Sequence, residues 1–159
     1  MSGKNMMWTI LVVILVSLGA SAVYYVDERE KAIVFQFGEI VRSNDEPGLH
    51  FKAPLINNVQ FFDARVQTMD SDPELYLTRE KKNLVVDSFV KWRITNAADY
   101  YTRLGGLASN ARNRLAQRVN DALRREFGNR SVQQVISGDR VEIMDVVRQT
   151  TNEETASLG

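Results

Sequence analysis

The capacity of this chain for acid–base or nucleophilic chemistry is small, because it has one histidine, His50, and no cysteine. A hydrolytic triad needs a nucleophile and an orienting acid beside the histidine, and the sequence contains no Gly-x-Ser-x-Gly motif. We therefore expect His50 to have a structural or interfacial role. A hydrolase or peptidase that uses His50 stays open as an alternative. Multi-histidine and thiolate metal sites are excluded, and no cofactor is expected.

Three acids alternate in the segment Asp70-Ser71-Asp72-Pro73-Glu74, a spacing that could offer oxygen ligands to calcium. The glycine and the distal glutamate of an EF-hand loop are missing from it. Aspartate, serine and proline are also frequent turn residues. We therefore expect a solvated turn here and no metal site.

The loop from Pro47 to Pro54 has a composition that suits a lipid surface. Leu49 and Phe51 could place apolar side chains in the headgroup layer while Lys52 reaches a lipid phosphate. Packing of Phe51 into the domain core is an equal alternative. Leu49, Phe51 and Lys52 are thus the candidate membrane-contact residues.

Arginines are concentrated between residues 112 and 130, at Arg112, Arg114, Arg118, Arg124, Arg125 and Arg130. Asp121 with Arg125, and Glu126 with Arg130, have the spacing of helical ion pairs, which favours a solvated face. The alternative is contact with an acidic neighbouring subunit, for which the candidates are Arg114, Arg118 and Arg125. Nucleic acid is not expected as a partner, because the net charge of the chain is zero and the cluster lacks an aromatic stacking platform.

The elements that must position these residues begin with an apolar segment. Residues 5–26 contain no charged side chain, and residues 10–16 are all aliphatic. At about 1.5 Å of rise per helical residue, residues 6–26 could span a hydrocarbon layer of ~30 Å. Trp8 and the pair Tyr24-Tyr25 stand where interfacial aromatic residues belong. The sequence therefore predicts an N-terminal tail over 1–5 and a transmembrane anchor over 6–26.

A cleaved signal peptide is the main alternative to this anchor. Lys4 would form its positive region and Ala20-Ser21-Ala22 its small-residue cleavage site, which would release an exported soluble domain. The apolar run continues to Val26, longer than an export signal needs, and this favours an anchor. A count of basic residues near the segment would place the following domain in the cytoplasm, but long domains can cross regardless of charge.

Residues 27–95 have mainly strand character. Alternation from Ala32 to Phe37 puts Ile33, Phe35 and Phe37 on one face, until Gly38 interrupts it. Over residues 84–94 one parity carries Leu84, Val86, Val90, Trp92 and Ile94. Turn residues separate these segments.

From Asn96 onward the apolar period becomes helical, with Leu107, Ala111, Leu115, Val119, Leu123 and Phe127 four residues apart. Gly128 is placed to end this helix at C′. Residues 131–134 have the form of a capping box. Asp139 could cap a last helix whose Ile143, Val146 and Val147 face the core. Strands followed by helices predict an α+β domain over 27–159.

Three blocks in a fixed order carry a family resemblance: PGLHFKAP at 47–54, DARVQTMD at 63–70 and EKKNLVVDSFVKWRI at 80–94. The opening EKAIVFQFG at 30–38 and the closing NEETASLG at 152–159 fit the same pattern. The chain resembles the SPFH or Band 7 superfamily of stomatin, prohibitin, flotillin and HflK/HflC proteins. The resemblance is strongest to the bacterial HflK/HflC branch.

This resemblance implies a single-pass inner-membrane protein whose prohibitin-like domain lies in the periplasm. The resemblance implies alternation with an HflK-like partner in a hetero-oligomeric cage around the AAA+ protease FtsH. The expected partners are therefore a related subunit, an FtsH-like protease and membrane lipids, and the expected role is a regulatory scaffold without catalysis. Family members continue with a further strand and a coiled coil, so we expect this chain to be truncated before both.

Overall fold

The computed structural model describes residues 3–44, 46–138 and 140–159, and it divides the chain into two compact units. The first unit extends to Arg65 and the second runs from Val66 to Gly159, where the sequence predicted one module over 27–159. Antiparallel strands precede a group of helices, so the predicted α+β class is confirmed.

The first unit contains, in chain order, α1 (Gly3–Ser21), β1 (Val23–Val26), β2 (Glu30–Gln36), β3 (Glu39–Asn44), β4 (Gly48–Phe51) and β5 (Asn57–Asp63). β1 and β4 form an antiparallel ribbon, and the other strands form a sheet in the order β3-β2-β5. A small core of Tyr24, Val26, Ala32 and Val34, with Val59 packed against it, holds the ribbon on the sheet.

The helix α1 begins inside the predicted tail 1–5 and ends at Ser21, before the predicted end of the anchor. The last residues of the predicted anchor, Val23–Val26, form β1 instead, because Tyr24 and Val26 enter the core of the first unit. The side chains of residues 6–21 are exposed. Within the described part of the chain, no helix combines the length and apolarity that a membrane span requires. Met1 and Ser2 lie outside the described residues.

The second unit contains β6 (Gln67–Leu77), β7 (Asn83–Trp92), α2 (Ala97–Leu104), α3 (Ala108–Gly128), α4 (Val132–Ser137), α5 (Arg140–Thr155) and a 3-10 turn (Ala156–Leu158). β6 and β7 pair as an antiparallel hairpin. Its core is formed by Tyr76, Val119, Ala122, Leu123, Phe127, Val135, Ile143 and Val147, with Leu84, Val86, Val90 and Leu115 packed against them. The predicted parity of β7 is confirmed, and so is the predicted apolar face of α3 except at Leu107, which is the exposed N-cap of that helix.

Side-chain caps set several helix boundaries in the second unit. Asn96 begins α2, since its side-chain oxygen accepts hydrogen bonds from the N–H groups of Ala98 and Asp99. The capping box predicted at 131–134 is present at the start of α4. The prediction that Gly128 lies at C′ is wrong: Gly128 is the last residue of α3, and Asn129 is the C-cap. The predicted cap Asp139 lies outside the described residues.

Three other local predictions are wrong. The segment 70–74 lies within β6 rather than in a turn, and the register shifts between Ser71 and Glu74. Asp72 and Pro73 fall in this irregularity, where a proline does not cost a ladder hydrogen bond. Phe37 lies beyond the end of β2, and it is 88% exposed rather than on the core face. Val146, predicted to face the core, is exposed as well.

Candidate functional site

The outer face of the β1–β4 ribbon is apolar. Val23 pairs with Phe51 and Tyr25 pairs with Leu49, so these four side chains share one face. Leu49 and Phe51 are each 71% exposed, whereas Tyr24 points to the other face and is buried. The alternative that Phe51 packs into the core is therefore wrong.

Two turns place further apolar side chains at one end of the neighbouring sheet. Gln36 pairs with Asn57 at the end of the β2–β5 ladder. Phe37 directly follows β2, and Leu55 and Ile56 directly precede β5, so all three lie beyond this pair. Phe37 is 88% exposed and Leu55 is 95% exposed.

Phe37 and Leu55 also have strained backbones, with φ angles of 52° and 68°. In Phe37-Gly38 both φ angles are positive, and the two residues form the tight hairpin turn for which Asn-Gly is preferred. The left-handed region costs an ordinary side chain about 1 kcal/mol or more. Strained positions that also expose large apolar side chains indicate a functional surface.

This end of the first unit adjoins the end of α1. The N–H of Lys52 donates a hydrogen bond of 2.8 Å to the carbonyl of Ala22, which follows α1 directly. The N–H of Asn57 donates to the carbonyl of Ala53 at 3.0 Å and closes the turn that carries Leu55. We define the apolar surface as Val23, Tyr25, Phe37, Leu49, Phe51, Leu55 and Ile56. The structure thus brings the predicted residues Leu49 and Phe51 together with turn residues that sequence reasoning missed.

His50 lies on the inner face of the ribbon, away from the apolar surface. Its ring stacks on Tyr24 with 5.6 Å between the ring centroids, and its Nε2 lies 2.9 Å from the carbonyl oxygen of Glu46. These two contacts hold the imidazole ring against the core of the first unit, as expected for a histidine with a structural role. Within the described ranges, no group of three or more acidic or histidine side chains is placed to hold a metal ion.

The arginines of α3 divide into paired and unpaired residues. Arg118 and Arg125 both reach Glu154 of α5, at 3.4 and 3.0 Å. The acid that pairs with them therefore belongs to their own unit. Arg114 is exposed and pairs with no acid of the described residues, so it remains a candidate for contact with another subunit.

The predicted ion pairs along α3 are confirmed in part. Glu126 and Arg130 pair at 3.5 Å, and Arg130, whose side chain is 16% exposed, also reaches Glu142. Asp121 pairs with Arg124, three residues away, rather than with Arg125. Arg130 therefore ties α3 to α5 instead of standing on a solvated face.

A wide cleft of about 1260 Å³ opens in the second unit, lined mainly by apolar side chains of β7, α3 and α5. Two buried polar atoms on its lining residues, Thr151 Oγ1 and Trp92 Nε1, have no hydrogen-bond partner within the described residues. An unpaired buried hydroxyl lowers the stability of the unit. The alternating burial along β7 predicted its core side, but nothing in the sequence predicted this cleft.

Residues 24–159 match the SPFH domain / Band 7 family. The chain belongs to this family. The SPFH chain is 40% identical over 154 residues to the modulator of FtsH protease HflC of Escherichia coli strain K12. It is 39% identical over 149 residues to protein HflC of Haemophilus influenzae.

These alignments cover 92% and 87% of the SPFH chain, but 46% and 50% of the two relatives. The chain therefore spans about half the length of the curated relatives it matches. The predicted resemblance to HflC-like SPFH proteins is confirmed. The relative from Escherichia coli is named as a modulator of a protease, in agreement with the expected regulatory role.

Proposed function

We propose that this SPFH chain belongs to a membrane-anchored scaffold subunit that modulates an FtsH-type AAA+ protease at the bacterial inner membrane. The identity of 40% with a relative named as a modulator of FtsH protease supports this role. An HflK-like subunit is the proposed partner in a hetero-oligomer. The mechanism is packing and control of access, which needs no catalytic residue.

The observation that carries the proposed anchoring is the position of the apolar surface beside the end of α1. The side chains of residues 6–21 are exposed on all sides of α1, and most of them are apolar. A helix that is apolar all round needs lipid or protein around it. Because Lys52 is bonded to Ala22, a bilayer around α1 would also meet Phe51 and Leu55. Leu49, Phe51 and Lys52 are therefore proposed as membrane contacts.

The proposed orientation places the strands of the first unit and the whole second unit in the periplasm, as the family resemblance implies. Subunit contacts are proposed for the exposed side of α3. Arg114 is the first candidate there, since Arg118 and Arg125 already share Glu154.

Co-purification tests the proposed function. The complete gene product that contains this chain is tagged at its own locus, extracted in mild detergent and isolated. We expect an AAA+ protease and a second SPFH subunit to accompany it. A monomer that binds neither would overturn the proposal.

Two further measurements separate the alternatives. An intact mass that begins at Val23 would support an exported soluble domain instead of an anchored one. Loss of a peptidase activity in His50→Ala would support a hydrolase. We expect an uncleaved N-terminal segment and no peptidase activity in either the parent protein or the variant.

A further inference from the structure

We propose that the apolar surface binds anionic phospholipid headgroups of the bilayer through Arg42 and Lys52. This inference rests on the proposed membrane anchoring and adds the lipid class. The occupant is the phosphate-bearing headgroup of a bilayer lipid, with its acyl chains against Phe51 and Leu55.

Arg42 is held beside Phe51 although the two residues lie on different strands. Arg42 belongs to β3, and its Nη1 donates a hydrogen bond of 3.5 Å to the main-chain carbonyl of Phe51 on β4. This long bond uses one of five guanidinium N–H donors. Arg42 forms no ion pair with any acid of the described residues, so the remaining donors are available to a phosphate, whose oxygens match the guanidinium fork.

Lys52 is a second cation next to Phe51 in the chain. Its main chain is fixed to Ala22 at 2.8 Å, and its side chain is partly exposed. Its ammonium, too, has no acidic partner within the described ranges. A long lysine side chain keeps its stem on apolar surroundings and its charge at the polar boundary. Phe51 is thus accompanied by two cations, one bonded to its carbonyl and one next to it in the chain, and an apolar side chain with neighbouring cations suits an anionic lipid surface.

The distribution of charge along the first unit supports the same orientation. The far end of the unit is the end at which Val26 pairs with Gly48 and Glu30 pairs with Asp63. Acids outnumber bases there, with Asp27, Glu28, Glu30, Glu46 and Asp63 against Arg29, Lys31 and Arg65. At the apolar end, Glu39 is an acid on the β2–β3 hairpin, and Arg42 and Lys52 outnumber it. The apolar end, which is proposed to meet lipid phosphate, is thus the more basic end of the first unit, and the acidic end lies opposite to it.

The absence of cysteine allows a direct test. Leu55→Cys in the complete chain carries an environment-sensitive fluorophore, and the protein is reconstituted into vesicles of phosphatidylcholine with or without phosphatidylglycerol. We expect a blue-shifted emission that is stronger with phosphatidylglycerol and weakens as salt is raised. The double variant Arg42→Gln, Lys52→Gln removes both charges. We expect the ratio of membrane-docked to undocked probe to fall about fivefold for each cation removed, and only in the vesicles that contain phosphatidylglycerol.

Two control variants separate charge from folding. Arg29→Gln with Lys31→Gln removes the same charge from the far end of the unit, and it keeps the preference for phosphatidylglycerol. Arg42→Lys keeps the positive charge, and we expect it to retain most of the preference for phosphatidylglycerol. That outcome would show that the fold tolerates replacement of this arginine.

Each remaining outcome counts against one claim. Equal emission in the two lipid compositions, or the same gain when inorganic phosphate is added to phosphatidylcholine vesicles, overturns the assignment to anionic lipid. Aqueous emission from a chain that resists carbonate washing overturns the lipid inference and leaves the anchor intact. Release of the chain by carbonate overturns the proposed anchoring itself.

Discussion

Arg125 and Glu154 join the long helix α3 to the end of α5 through a contact of 3.0 Å between Nη2 and Oε1. Arg118 reaches the other oxygen of the same carboxylate at 3.4 Å. These arginines lie seven residues apart on α3, so one acid on α5 spans two turns of that helix. The sequence favoured a solvated face for these arginines, with an acidic neighbouring subunit as the alternative, whereas the fold supplies the acid itself.

Glu154→Gln should therefore lower the free energy of unfolding of the chain by about 1 kcal/mol. The side chain of Glu154 is only 27% exposed and pairs with two arginines, so its contribution to the free energy of unfolding should lie at the upper end of the range for surface ion pairs. Urea unfolding followed by circular dichroism measures the change. Glu153→Gln is the matched control, because among the described residues Glu153 accepts only from Gln149 on the same helix. Equal effects of the two substitutions would show that the bridge adds nothing.

The Asp63 carboxylate receives its strongest hydrogen bonds from the Arg65 side chain and main-chain N–H, which lower the pKa of Asp63 to about 2 from the ordinary 3.8. The ionised form is favoured in the folded chain, so this stabilisation is present above pH 3.8 and is lost as the pH falls through 2. In Arg65→Gln we expect the pKa of Asp63 to rise toward 3.8.

Carboxyl-carbon NMR during an acid titration measures the pKa of Asp63 directly. The main-chain N–H of residue 65 still donates in the variant, so part of the lowering remains. A pKa that stays near 2 in Arg65→Gln would show that the guanidinium is not the cause.

Phe37→Gly and Leu55→Gly should each stabilise the fold in detergent and weaken membrane contact. Glycine adopts positive φ freely, so each substitution removes about 1 kcal/mol of strain at a side chain that makes little packing contact. Thermal unfolding measures the first effect, and quenching by lipid-borne bromine measures the second.

Val41→Gly is the control for these two substitutions. Val41 is also exposed, but it lies inside β3 and has no positive φ, so glycine there should destabilise the fold. If Phe37→Gly and Leu55→Gly destabilise the fold as Val41→Gly does, the strain at the two turns is not real.

Thr151→Val should raise the free energy of unfolding by about 1 kcal/mol. Thr151 is 6% exposed, and its Oγ1 has no partner within the described residues, so valine removes an unsatisfied hydroxyl at nearly constant shape. Thr155→Val is the control, since Thr155 Oγ1 donates to the carbonyl of Thr151 at 2.7 Å and its loss should destabilise. A stability of Thr151→Val below that of the parent would mean that the hydroxyl has a partner in solution.

The sequence predicted the elements in which apolar residues recur at a regular spacing. It did not predict the element boundaries that depend on tertiary contacts. The parity of β7 and the apolar face of α3 are regular, and the structure confirms both. The segment Val23–Val26 continues the composition of α1, yet it pairs with β4 because Tyr24 and Val26 have a core to enter. Composition alone could not place that boundary.

The candidate site was only half predictable for a similar reason. Leu49 and Phe51 were predicted because their segment, with its turn residues and a lysine, has the composition of a surface loop, although both residues lie in β4. Phe37 and Leu55 looked like members of a strand and a loop, and only the pairing of Gln36 with Asn57 shows that they share one end of the sheet. A positive φ at a large apolar residue has no sequence signature except the glycine that follows Phe37.

Extraction of cell membranes with alkaline carbonate tests the central claim most directly, because it asks whether the chain is embedded in the bilayer at all. The proposed anchoring predicts that the protein, detected by a C-terminal tag, stays in the membrane pellet with its N-terminal segment intact. Quantitative recovery in the carbonate supernatant would contradict the anchor, and with it the role of the apolar surface.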